Sequence, residues 1–442
     1  MTQHSKRMAW FTLTILCSLY VIAYVDRGIA AVVATSLSTA LDLSDTELAL
    51  IISSSFAFAF VLAAVPAAQW MDNRDRRYGL AAGVALWGGA TIACGFANSF
   101  EILLILRAGV AVGEAALGPA AVSLIADMFP GERRAIPTTI YALIGTLVGA
   151  GGLALGATAL DIGHVLAPIV DMDAWRLTFV IAGVPAVTIA LLIVLAISEP
   201  PRSQASDGEK ISLMQFARYM RRRWNFYLPF YLGSGLGSMF PLALTSWAPT
   251  LLLRAFGFRE ADAAYVIGIS GMIAAVTGTL VFSMLARRSE RLAPGQGLLL
   301  VMAGAALFIA AMAWAPAAQS RDLFVLGAAC AIGGWTAWIL LPLFIVQRFA
   351  PNRVRARVYA IHPLCTSVIG FGLGPMTAAG FSTSWSGDHA LGYGLAALGL
   401  VASPIAALCY FFCYRAAPSL LGEDDVAAAG DGSTLPAAVA PS

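Results

Sequence analysis

Twelve predominantly apolar stretches, each about twenty or more residues long, run through this chain of 442 residues. A helix of about 20 residues crosses a hydrocarbon core ~30 Å thick, so each stretch is a candidate span. They lie near 8–36, 45–70, 78–98, 100–127, 136–160, 174–197, 225–253, 262–286, 295–316, 321–347, 354–382 and 389–414. Backbone groups in lipid must be satisfied within the segment, which makes the stretches helices. The alternating ten-residue segments of a membrane barrel are absent. Only 12% of the residues are charged, about half the share found in a soluble domain. The expected fold is an all-α membrane protein with twelve transmembrane helices.

Loop charge orients the spans, because cytoplasmic loops carry the excess of Lys and Arg. With the N-terminus inside, twenty-one Lys and Arg fall on the inner side and four (Arg176, Arg254, Arg259, Arg321) on the outer, while Arg27 and Arg107 lie within spans. Both termini are therefore expected in the cytoplasm. Only two lysines stand against twenty-five arginines. With the high alanine content, this suggests a bacterial gene and an inner-membrane location. The basic start at Lys6-Arg7 is like that of a signal peptide, but the apolar stretch behind it is too long and contains Asp26-Arg27, so it reads as a retained helix. The six cysteines all fall within spans, with no other ligand type near Cys409 and Cys413. They read as packing residues, and neither a metal nor a cofactor is expected. Gly233-Ser234-Gly235-Leu236-Gly237 has dinucleotide-like spacing but no preceding strand, so no nucleotide or nucleic-acid role follows.

One long inner loop divides the chain. Residues 1–197 read as an N-terminal six-helix bundle, 198–224 as a cytoplasmic linker, 225–415 as a second six-helix bundle, and 416–442, rich in Ala, Gly, Pro and acids, as a disordered cytoplasmic tail. Within the linker, 211–220 followed by Arg221-Arg222-Arg223 has the pattern of a short amphipathic helix. It is either a strut against anionic lipid headgroups or a basic linker placed by loop-charge bias. Phe129-Pro130-Gly131-Glu132-Arg133-Arg134-Ala135 and Phe349-Ala350-Pro351-Asn352-Arg353-Val354-Arg355-Ala356 lie about half the chain apart and resemble each other. Repeated six-helix halves are a transporter architecture, with the binding site between them near mid-membrane.

Charges inside apolar spans narrow the reading further. Such a residue costs roughly 2.5–3.5 kcal/mol on insertion scales, and it usually faces a cavity or a partner. Arg107 and Glu114 are seven apart and share a helix face. Asp26 and Arg27 point about 100° apart, so Arg27 can face Glu114 while Asp26 meets a neighbouring helix. Arginine stays protonated, so the group that titrates must be a carboxylate. The expectation is competition between a proton and Arg27 for Glu114, against the plainer alternative of a permanent brace. Second-half candidates for the cavity are Ser238, Thr245, Trp335, Trp338, His362 and Thr366, with no carboxylate or Arg mid-span.

The loop Pro66-Ala67-Ala68-Gln69-Trp70-Met71-Asp72-Asn73-Arg74-Asp75-Arg76-Arg77 resembles the Gly-x-x-x-Asp-Arg-x-x-Arg-Arg signature of the major facilitator superfamily, with Ala68 and Asn73 departing from it. Asp72, Arg76 and Arg77, with Asp127 as acceptor, would form a latch between the halves. Tyr24-Val25-Asp26-Arg27, Leu43–Leu48 and Arg107 through Pro130 resemble the Spinster-like branch. That resemblance implies proton coupling through Asp26, Arg27 and Glu114. The substrate is then an amphipathic or anionic small molecule, lipid-like or lysolipid-like or an organic anion, contacted by Arg27, Arg107, Glu114, Ser238, Thr245, Trp335, Trp338 and Thr366. The expected partners are that substrate, protons and membrane lipids, with the chain a monomer. The glycines of Gly145–Gly152 resemble an antiporter motif and keep a multidrug:proton antiporter as an alternative. A non-transporting membrane receptor is the alternative of another class. The sequence offers no His-Glu-x-x-His and no defensible Ser-Lys or Ser-His pair, so an enzyme is not expected.

Overall fold

The computed structural model describes residues 3–73, 75–129, 131–197, 199–200 and 212–430, without the side chains of 3–6, 72, 73, 132, 150, 213, 352 and 419–430. The first half contains α1 (Gln3–Val32), α2 (Ala34–Leu41), α3 (Asp45–Ala49), α4 (Ser55–Asn73), α5 (Arg76–Cys94), α6 (Phe100–Glu114), α7 (Leu117–Met128), α8 (Ala135–Val170) and α9 (Ala174–Ala196). After α10 (Leu213–Arg222), the second half contains α11 (Trp224–Phe256), α12 (Glu260–Leu292), α13 (Gly297–Met312), α14 (Arg321–Phe349), α15 (Asn352–Cys365), α16 (Gly374–Ser382) and α17 (Ala390–Gly430). π-helical turns at Leu50–Ser54 and Thr366–Leu373 join α3 to α4 and α15 to α16.

Among the described residues, ten helical stretches are long and apolar enough to cross a membrane. The other two expected spans are helical but weaker. One is α5, with Arg76 and Arg77 in its first turn; the other is α6–α7, interrupted at Ala115-Ala116. Leu62, Ile105, Ile169 and Leu195 stand 70–81% exposed on the outside. An apolar surface of that extent belongs in lipid rather than water, and the chain is an integral membrane protein. One expectation needs correction. Residues 416–430 continue the helix of α17, because the Ala and Leu in that stretch favour helix. Residues 431–442 lie outside the described residues.

The core shows how the halves meet. The near end carries both termini of the helical array, Gln3 and Gly430. At the far end one continuous apolar cluster joins Ile29–Ala34, Leu48–Ile52, Leu153–Leu160 and Phe179 of the first half to the second half. At the near end the first half has a separate cluster of its own, around Leu13, Leu16, Leu80, Val84, Leu124 and Ile193. The halves are fused at the far end and part toward the near end.

Polar links reinforce the fused end. Arg254 donates two hydrogen bonds to Asp45, at 2.9 and 2.8 Å. The Ser36 amide and hydroxyl donate to the two oxygens of Glu260, at 2.6 Å each. The Tyr265 hydroxyl donates to Asp161 at 3.0 Å. Between α8 and α12 the backbones touch at Gly268, where a Cβ would lie 2.5 Å from the Ala154 nitrogen.

Candidate functional site

The helix period sends the two adjacent charges of α1 to different partners. Asp26 turns toward α5 and α6 and is fully buried. One carboxylate oxygen accepts from Trp87 Nε1 at 2.5 Å and Thr91 Oγ1 at 2.6 Å. The other accepts from Arg107 Nη1 at 3.2 Å. Arg107 is itself 0% exposed, and its Nε donates to the Ile51 carbonyl at 3.4 Å. That carbonyl lies in the first π-helical turn, a distortion often found at functional sites. Arg107 was read from the sequence as a substrate contact. The structure corrects this: it is the buried partner of Asp26, two helical turns farther toward the fused end than Glu114.

Arg27 points the other way and forms an ion pair with Glu114. Its side chain keeps 30% of its surface exposed, while that of Glu114 keeps 2%. The pairing is incomplete, since Arg27 Nε and Glu114 Oε2 have no partner. Glu114 is the last residue of α6, at the interruption before α7. Aromatic rings surround the guanidinium: Tyr24 at 5.2 Å, Phe56 at 5.1 Å and Phe60 at 5.6 Å. Tyr20 packs on Tyr24 and stacks on Tyr141 with centroids 4.6 Å apart. Phe371, from the second π-helical segment, meets Phe56 edge-on at 6.2 Å. Beside it, Ser54 donates to the Gly372 carbonyl at 2.6 Å. The two π-helical segments thus close the far end above Arg27. Sequence reasoning missed this aromatic shell, although Tyr20/Tyr24 and Phe56/Phe60 are each four apart on a helix face.

The second-half candidates divide. Ser238 and Trp338 are buried. Ser238 donates to the Gly235 carbonyl, and Trp338 lies edge-on to Tyr410. Both are packing residues of the second bundle, which corrects their assignment to the cavity. His362 is also buried, with Nε2 on the Trp338 carbonyl at 3.1 Å. Thr245 and Thr366 are partly exposed and donate to Pro241 and Pro363 carbonyls. Trp335 is partly exposed, and its Nε1 has no partner.

At the near end Arg76 meets Asp127, the acceptor expected for one of these arginines, but the pair lies within one bundle. Arg76 is buried and bonds to Asp127 at 2.5 Å, Ser123 at 2.6 Å and Glu199 at 2.7 Å. Arg77 donates to the Ile197 carbonyl at 3.2 Å. These contacts clamp α5, α7 and the end of α9 within the first bundle, and do not join the two halves. The side chain of Asp72 lies outside the described residues.

Two helical halves, the first holding an incompletely paired ionic site whose Phe56 meets Phe371 of the second, define a membrane carrier. The chain belongs to the major facilitator superfamily, whose family model matches residues 16–375. It is 26% identical over 412 residues to an MFS-type efflux pump of Mycolicibacterium smegmatis, covering 92% of this chain and 93% of the relative. It is 24% identical over 411 residues to Protein spinster homolog 3 of Danio rerio, covering 87% and 79%. A bacterial homolog of the human lysosomal transporter Spinster, solved in an inward-facing and unoccupied conformation, has a TM-score of 0.81 at 24% identity, covering 96% of this chain and 99% of that one. These relatives are transporters, not enzymes.

Proposed function

We propose that this transporter is a proton-coupled carrier of an amphipathic or anionic small molecule, working by alternating access. The observation that carries the reading is the contrast between the two ion pairs on α1. Asp26–Arg107 is fully buried, with Asp26 fixed by three side-chain donors. Arg27–Glu114 is partly exposed and leaves a polar atom unpaired on each side. Of the two carboxylates, Glu114 is the one free to exchange its partner. Protonation of Glu114 frees Arg27 for an anionic substrate group, and deprotonation restores the pair. The surrounding rings suit a substrate with an apolar body next to its charge. On this reading the parted near end is the open mouth, and the loop-charge bias supports a cytoplasmic side for it, in a bacterial inner membrane.

The likeness to an efflux pump and the glycine seam of α8 against Tyr20 and Tyr24 favour a second reading, multidrug:proton antiport. One experiment tests the first reading. Thermal-shift screening of lysolipids and organic acids on purified protein identifies a ligand, and its uptake is then followed in proteoliposomes under an imposed pH gradient. Glu114→Gln is expected to abolish the pH-driven component. Unchanged pH-driven uptake in that variant rejects the coupling scheme, and dye efflux without anion uptake favours the second reading.

A further inference from the structure

The helix α10 leads almost directly into a membrane-crossing helix. It ends at Arg222, Arg223 breaks the helix (φ −114°, ψ 28°), and α11 begins at Trp224. Connectivity alone therefore holds Arg221 and Arg222 at the boundary between water and lipid. The start of α10 is fixed by a capping box: Ser212 Oγ accepts from the Gln215 amide at 3.1 Å, and Gln215 Oε1 accepts from the Ser212 amide at 2.8 Å.

The apolar side of α10 is already occupied. Phe216, Tyr219 and Met220 pack against the core of the second half. The hydroxyls of Tyr219 and Tyr227 meet at 2.7 Å, and Arg357 lies over the Phe216 ring at 5.9 Å. That face is not available for insertion into lipid. The opposite face presents Met214, Arg218, Arg221 and Arg222, all exposed, and Trp224 follows with 62% of its surface open. From 212 to 225 there is no acidic residue. Among the described residues, none of these three arginines has an acidic partner. Three unpaired cations at the depth of the headgroups, flanked by an exposed Met and Trp, match an anionic lipid surface in both charge and polarity.

We propose that this outer face of α10 is a binding site for anionic phospholipid headgroups, with Arg218, Arg221 and Arg222 donating to phosphate oxygens. Because α10 packs on the second bundle, bound lipid tethers that bundle to the leaflet. The competing occupant is the chain's own acidic run, Glu423-Asp424-Asp425.

The test uses purified full-length protein in detergent, titrated with phosphatidylglycerol or phosphatidylcholine, with thermal unfolding followed by tryptophan fluorescence. The expected result is a Tm several degrees higher with phosphatidylglycerol, shrinking by half or more in about 0.5 M salt. In R218Q/R221Q/R222Q the preference disappears. The same preference in that variant overturns the proposal. If the triple variant fails to fold, the single variants are expected to lose the preference stepwise and R218K/R221K/R222K to keep it; a preference indifferent to both series also overturns it. A preference that emerges only in E423Q/D424N/D425N assigns the face to the tail, and the lipid site is then rejected.

Discussion

At the scale of single residues, two carboxylates one helix away from each other carry different burdens. Asp26 compensates a buried guanidinium, and neutralising it leaves Arg107 charged in a dry interior. Breaking such a pair from one side costs about 3–5 kcal/mol. Asp26→Asn is therefore expected to lower Tm and the yield of folded protein sharply. Glu114→Gln faces a guanidinium that keeps its aromatic neighbours and an open side, and it should change Tm far less. Thermal unfolding of the two purified variants side by side checks this, and a larger loss in Glu114→Gln would refute the division of roles. The charges were legible in the sequence because an ionised group in an apolar span is expensive. The Arg27–Glu114 contact was legible because adjacent residues on α1 diverge by a fixed angle. The place of Arg107 was not. The period of α6 puts it on the face of Glu114, but only packing shows that two turns along that face lie beneath a sealed layer. The ring shell escaped notice because Phe and Tyr are ordinary filling in membrane helices, so their spacing carried little weight without Arg27 among them.

At the scale of elements, close backbone approach governs closure of the far end. Gly268 of α12 lies against Ala154 of α8, and the Arg254–Asp45 pair spans the same seam between the halves. Gly268→Leu should force α8 and α12 apart and move the population away from the far-end-closed arrangement. Cross-linking reports this directly, using a pair of cysteines placed by Asp45→Cys and Arg254→Cys. The cross-linked fraction is expected to fall severalfold when Gly268→Leu is added, and an unchanged yield would mean that this seam does not control closure. Arg76→Ala should act differently. It removes the bonds to Asp127, Ser123 and Glu199, loosening the near end of the first bundle and lowering Tm while the same cross-link forms normally. Motif spacing announced a charged cluster at Arg76 and Arg77. It could not say to which bundle the acceptors belong, because a guanidinium at a helix end reaches acids on either side. The π-helical turns at Leu50–Ser54 and Thr366–Leu373 were not legible: Gly370 and Gly372 weaken a helix without saying which distortion follows, and the sequence does not reveal that the two turns meet at Ser54 and Gly372.

At the scale of the whole molecule, charge balance decides which loaded forms can rock. The Asp26–Arg107 pair is neutral and stays buried. The proposed exchange site holds one guanidinium and one carboxylate, so the empty deprotonated carrier would be neutral there. With a proton on Glu114 and a monoanion on Arg27 it is neutral again. Symport of one proton with one monoanion therefore cycles between two neutral forms. Exchange of a proton for a cationic drug cycles between two forms that each carry one uncompensated positive charge, and burying such a charge costs several kcal/mol. On the proposed coupling scheme, anion symport is therefore less costly than drug antiport at this site, although both cycles would be electroneutral overall. Moving one net charge through 100 mV is worth about 2.3 kcal/mol, roughly a 50-fold change in accumulation. The expected outcome in proteoliposomes clamped with valinomycin and potassium is that a monoanionic substrate accumulates with an acid-outside gradient and shows almost no dependence on voltage. Its direction reverses when the gradient is reversed. A dianion carried by the same site would move with a net negative charge and respond steeply to voltage. A steep voltage response with a monoanion would show that a further charge crosses with Arg27 and Glu114, and that the two pairs on α1 do not act as one sealed and one exchanging unit.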